Sequence, residues 1–118
     1  MIKTFRPQHI IVSDTIERNG YRGLTLSLMP HERFSLDGKE NISFITVVGG
    51  AQKYPLLKPT NFWEITGDVF VRRESAARVV WEECYIDITS YRKLGKTERR
   101  KQAAAVNKMW TEYYASVE

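Results

Sequence analysis

An α+β fold is what this 118-residue sequence predicts: an antiparallel β-sheet of hairpins in the N-terminal part, then a C-terminal antiparallel helical hairpin packed on one face. Three observations lead there. Leu24, Leu26 and Leu28 alternate with Thr25, Ser27 and Met29, the period of a half-buried strand. The pairs Asn19-Gly20 and Asp37-Gly38 supply the positive-φ residues that two-residue hairpin turns need. Going forward from Ala77, apolar residues recur at Trp81, Cys84, Ile88 and Tyr91, in steps that keep one face of a helix apolar.

Taken in order, Ile10, Val12 and Ile16 form one strand of a first hairpin, although Asp14 interrupts the apolar set. Residues 24–29 form its partner, and Pro30 ends it. Arg33-Phe34-Ser35-Leu36 then pairs across Asp37-Gly38 with the run from Ile42 to Val48. That run is apolar on both faces, which predicts a central strand covered on one side by the helices. Gly49-Gly50 breaks it, and Ala51 to Asn61 reads as an irregular connection in which Pro55 and Pro59 deny ladder donors. Phe62 to Ile65 and Val69 to Val71 read as another hairpin, around Thr66-Gly67-Asp68.

The last third of the chain, from Glu74, predicts two helices folded back at Leu94-Gly95-Lys96. Ser75 is the expected N-cap of the first and Gly95 its C′ residue. Thr97 is the expected N-cap of the second, whose stripe is Ala103, Val106, Trp110, Tyr113 and Val117. A short connection makes such helices antiparallel neighbours. Folding about the bend sets Trp81 opposite Trp110 and Glu83 near Lys108, with both indoles buried at the seam.

Length fits one domain, residues 1–118, long enough to bury a core without disulfides. Hydrophobic residues at 42% and charged residues at 27% exclude the disordered class. Cys84 is the single cysteine, so no intrachain disulfide forms and a reducing, cytoplasmic setting is expected. No run has the length of a membrane span, and no signal-peptide pattern precedes the first strand.

Chemistry has few candidates. Cys84 on an apolar stripe is expected to be an inert core thiol, although His9 and His31 are available bases. The same histidines, with Glu32, Glu83 and Asp87, do not form a recognisable metal-ligand spacing. Asp14 is the carboxylate whose strand parity sets it toward the core. Val48 to Lys53 is a glycine turn followed by a lysine, without the Lys-Ser/Thr ending of a phosphate loop. A non-enzymatic protein is expected, with no cofactor, no metal and no small-molecule substrate.

Charge is the informative feature. The net charge is +4, and six of the ten residues from Arg92 to Lys101 are Lys or Arg. Arg99, Arg100 and Lys101 fall in the first turn of a helix, whose dipole disfavours cations by roughly 0.3–1 kcal/mol each. The expected function is binding, through this bend, of a polyanionic partner: nucleic acid, or the acidic face of a nucleic-acid-handling protein. Arg92, Lys93, Lys96, Arg99, Arg100 and Lys101 supply the charge, while Thr97 and the first-turn amides hold one anion. Pairing of the cluster to Glu82, Glu83 or Asp87 would leave it a merely solvated face. The rival is a protein–protein inhibitor or accessory subunit, of the size mobile elements often encode. It would bind through the β platform or an aromatic cluster at Tyr54, Phe62 and Trp63. The sequence implies no oligomeric state.

Overall fold

A computed structural model describes residues 1–13 and 22–117. The strands are β1 (Ile2–Phe5), β2 (His9–Val12), β3 (Leu24–Ser27), β4 (Phe34–Leu36), β5 (Lys39–Ile42), β6 (Phe44–Val47), β7 (Trp63–Ala76) and β8 (Val79–Lys93). The helices are the single turn α1 (Gly50–Lys53) and the long α2 (Lys96–Val117). Six strands form one sheet in the order β1-β7-β8-β6-β3-β2, and β4 pairs with β5 separately. The α+β class therefore holds, but the C-terminal helical hairpin does not. The sheet is also mixed rather than purely antiparallel, because β6 runs parallel to β8.

The segment expected as the first helix is strand β8, paired along its length with β7. The reason lies in one bulge. Thr66 faces Ser90 while Gly67 faces Ile88, so Thr89 has no partner in the register. Cys84, Ile86 and Ile88 point to the core by strand alternation, and the extra residue moves the next inward position to Tyr91. The apolar positions 84, 88 and 91 thus imitate a helical period inside a strand.

Gly67 explains the second correction. The sequence around it reads as a turn, yet β7 runs straight through as one strand. A Cβ on Gly67 would lie 2.5 Å from the Asp87 carbonyl oxygen and 2.7 Å from Ile86 Cγ1. The glycine is there because the backbones approach at the bulge.

Asp37-Gly38 behaves as expected: both have positive φ, 48° and 82°, between paired Leu36 and Lys39. The run from Ile42 to Val48 is divided between β5 and β6. Strand β6 is central in the sheet, but Phe44 at its start is 57% exposed, so one face of the sheet there lies open. The β2–β3 pairing also matches expectation, with His9 opposite Ser27. Asp14 and the Asn19-Gly20 turn lie outside the described residues.

The core lies on the other face of the sheet, where Leu24, Leu26, Leu28, Ile45, Ile65 and Ile86 are fully buried. Cys84 joins them at 1% exposure, as expected of an inert thiol, although from a strand. The two tryptophans expected at a helical seam are instead partly exposed and on different elements. Trp81 is 41% exposed in β8 and Trp110 is 37% exposed in α2. Glu83 accepts from Thr46 and Tyr85, and Lys108 stands 4.0 Å from Glu112 on its own helix.

Two parts project from this body. The distal ends of β7 and β8 form an arm around Ala77-Arg78, exposed on both faces near its tip. The last two turns of α2 carry no buried residue. The radius of gyration is accordingly 15.2 Å, against about 13.5 Å for a compact chain of this length. No helix among the described residues is long and apolar enough to cross a membrane.

Candidate functional site

The basic stretch sits where β8 ends and α2 begins. Leu94, 3% exposed, anchors the junction, and its backbone N–H donates to the Phe62 carbonyl at 2.9 Å. The helix starts at Lys96, which makes Gly95 its cap. Thr97 is consequently an exposed residue inside the first turn, not the N-cap. The Gly95 N–H is taken by the Glu98 carboxylate, half of a capping box built within the helix itself. A negative group therefore already occupies this end of the dipole.

Glu98 is held by more than the cap. Arg92 donates to its two carboxylate oxygens at 2.9 and 2.8 Å, and Arg6 Nη2 donates to Oε2 at 2.8 Å. Both guanidinium groups also reach Glu64: Arg6 Nη2 at 3.0 Å and Arg92 Nε at 3.1 Å. The hydrogen bonds from Arg92, with the positive charges nearby, hold the Glu98 carboxyl down at about 2. Glu64 is lowered for the same reason, by Arg92 first and Arg6 second. Reciprocally, Glu98 and Glu64 raise Arg92.

Arg6 is fixed at its backbone as well. Its N–H donates to the Glu32 carboxylate and its carbonyl accepts from Gln102 Nε2 at 2.7 Å. Burial raises Glu32 despite the two amides that donate to it. Gln102 and Val106 are the buried residues of α2, so Glu98, Gln102 and Val106 define the side on which the helix lies against the body.

Of the residues expected at the site, Arg92 is thus engaged in ion pairs at the strand–helix junction. Lys93, Lys96, Arg99, Arg100 and Lys101 are exposed, and none forms an ion pair with a described residue. The carboxylates that could have neutralised them are remote. With residues 79–93 extended, Asp87 stands about 20 Å and Glu83 about 33 Å along the strand from Lys93. Arg6, Glu64 and Gln102 were not legible as site residues, because they reach Glu98 or each other only through the fold.

Of the aromatic cluster expected of a protein-binding surface, Phe62 is half-buried and the other two residues are inside. Tyr54 and Trp63 are buried, and both pack against the Tyr91 ring, at 5.7 and 5.9 Å. Among the described residues no group of three or more His, Cys, Asp or Glu could hold a metal ion. No family model and no curated protein matches the chain.

Proposed function

We propose that the protein binds a polyanion through the β8–α2 junction and the first turns of α2. One observation carries this reading. The only carboxylate in the basic stretch, Glu98, is committed to Arg92 and Arg6, while five cations around it face solvent without an acidic partner among the described residues. Clustered cations of this kind repel one another, and an arriving phosphate or carboxylate relieves that repulsion. The amides at the helix start add little, since Glu98 already engages Gly95. The contact is therefore a strip of side chains rather than a single anion pocket.

The test is a binding titration against mixed nucleic acid across salt. If about four phosphates of a duplex are neutralised, the log–log slope should be near −3.6. Changing Arg99, Arg100 and Lys101 to Gln should lower affinity sharply, with thermal stability held or slightly raised because the dipole conflict is removed. A control with Lys39, Arg73 and Arg78 changed to Gln removes equal charge away from the junction and should bind nearly as the parent does. Equal losses in both variants would reduce the site to diffuse net charge.

A second reading, a protein–protein accessory role, draws on a different surface from the one the sequence suggested. Val79, Val80 and Trp81 are exposed near the tip of the arm, where β8 pairs only with β7 among the described residues. Salt-insensitive capture of a protein, lost on truncating the arm, would favour it.

A further inference from the structure

The cationic turn is one end of a longer surface. Lys96, Arg100, Ala103, Asn107, Trp110 and Tyr114 recur in steps of four and three, so they share one side of α2. That side is rotated away from Glu98 and Gln102, which face the body, and meets the body at Trp110, which lies one turn on from Val106 and lines a hollow with Gln8, Pro30 and Arg33. Among the described residues it carries no carboxylate: Glu98 is turned to Arg6 and Arg92, and Glu112 stands off this side beside Lys108. Cations occupy its first turns, the small Ala103 and neutral Asn107 its middle, and aromatic rings its end.

The aromatic end is organised. The Trp110 and Tyr114 rings lie 6.0 Å apart and 30° from parallel, while Tyr113 meets both edge-on. Trp110 is 37% and Tyr114 59% exposed. A stacked pair of flat rings on a helix is a low-entropy platform, and its apolar faces remain in water at a cost that a stacking partner removes. From Arg100 to Trp110 is about 15 Å along the helix axis.

We propose that this face binds a single-stranded nucleic acid, with phosphates on Lys96, Arg99 and Arg100 and bases stacked on Trp110 and Tyr114. The proposal rests on the polyanion reading above and narrows it. Cations alone would serve duplex and single strand alike. A base already stacked inside a duplex cannot use the rings, whereas an unpaired base can, and cations followed by exposed aromatics are the combination single strands recruit. An acidic protein surface would use the cations and leave the stacked pair unexplained.

The experiment measures affinity for a fluorescently labelled single strand of mixed sequence and for the duplex of the same sequence, at one salt concentration. The parent should bind the single strand at least several-fold more tightly. Trp110→Ala should weaken single-strand binding by roughly 5- to 150-fold, the loss of one base–aromatic stack, and leave duplex binding almost unchanged. Trp110→Phe, which keeps a ring, should restore most of the loss. Trp110 is not part of the core, and circular dichroism checks that the Ala variant keeps its helix. If the parent binds neither nucleic acid, both the polyanion reading and this one fail. If it binds both equally, or if Trp110→Ala binds the single strand as the parent does while the Arg99, Arg100 and Lys101 variant does not, the polyanion reading stands and the single-strand proposal is overturned.

Discussion

Arg92, near the end of β8, grips both carboxylate oxygens of Glu98, six residues on in the first turn of α2. This fork-on-fork contact closes the strand-to-helix turn and aims the helix. Arg6 and Glu64 extend it to β1 and β7, so one ionic cluster ties α2 to two further strands.

Glu98→Gln keeps an acceptor for the Gly95 amide and removes the charge. The folded-state carboxyl is depressed to about 2 from an ordinary 4.5. A depressed acid stabilises the fold at pH values above its unfolded pKa, and that contribution is lost as pH falls through the folded value. Thermal melts should therefore show the parent slightly more stable than the variant at neutral pH, with the difference fading between about pH 4.5 and 2 and shrinking in high salt. A gap that persists unchanged at pH 2 would show that the carboxyl's charge is not what matters. The substitution also leaves the Arg6 and Arg92 guanidinium groups with Glu64 as their one shared carboxylate among the described residues and adds net positive charge beside the basic turn, so polyanion binding should tighten.

Cys84 gives a second pH-dependent expectation. Burial pushes its thiol up to about 11, with Lys39 opposing slightly. In native buffer it should react slowly with a thiol reagent and rapidly once the chain is unfolded. The sign for stability is opposite to that of Glu98. The unfolded thiol ionises first, near its ordinary 9.0, so the fold should lose stability as pH rises from there toward about 11. Rapid native labelling would mean that the β7–β8 pairing opens readily.

How much of this was legible depended on whether the signal was local. Asp37-Gly38 announced its turn because φ above zero at two successive residues leaves few alternatives. Helix α2 announced itself through a stripe of which Val106 is buried against the body and Ala103 half-buried, while Trp110, Tyr113 and Val117 farther along it are exposed. Strand β8 was misread because the bulge at Thr89 shifts its inward parity, and because its outer third, Val79 to Glu83, buries nothing that would enforce alternation. Its content of Val79, Val80, Tyr85, Ile86, Ile88 and Thr89 was the contrary signal, since β-branched and aromatic residues favour strands. The basic stretch was readable as composition. Its ionic support was not: Arg6 lies 92 residues from Glu98 and 58 from Glu64, separations at which no spacing rule operates.

The tip of the arm is the place where local sequence and backbone disagree most. Ala77 and Arg78 adopt φ of 47° and 70° between paired Ala76 and Val79, the two-residue turn geometry that Asn-Gly fills naturally. An L-residue with a Cβ in this region costs roughly 1–2 kcal/mol relative to a residue that tolerates it. Replacing Ala77 by Asn and Arg78 by Gly should therefore slow hydrogen exchange at the amides of Val79 and Trp81, which alternate toward β7, severalfold or more. The arm lies outside the core, so its opening is local and the global melting temperature should rise much less than the turn energy alone would suggest. Single-strand binding should stay at the parent level, since the arm and the cationic face of α2 share no residue. If exchange at the tip is unchanged, the backbone there is not held by the turn, and some contact along the arm sets its stability instead.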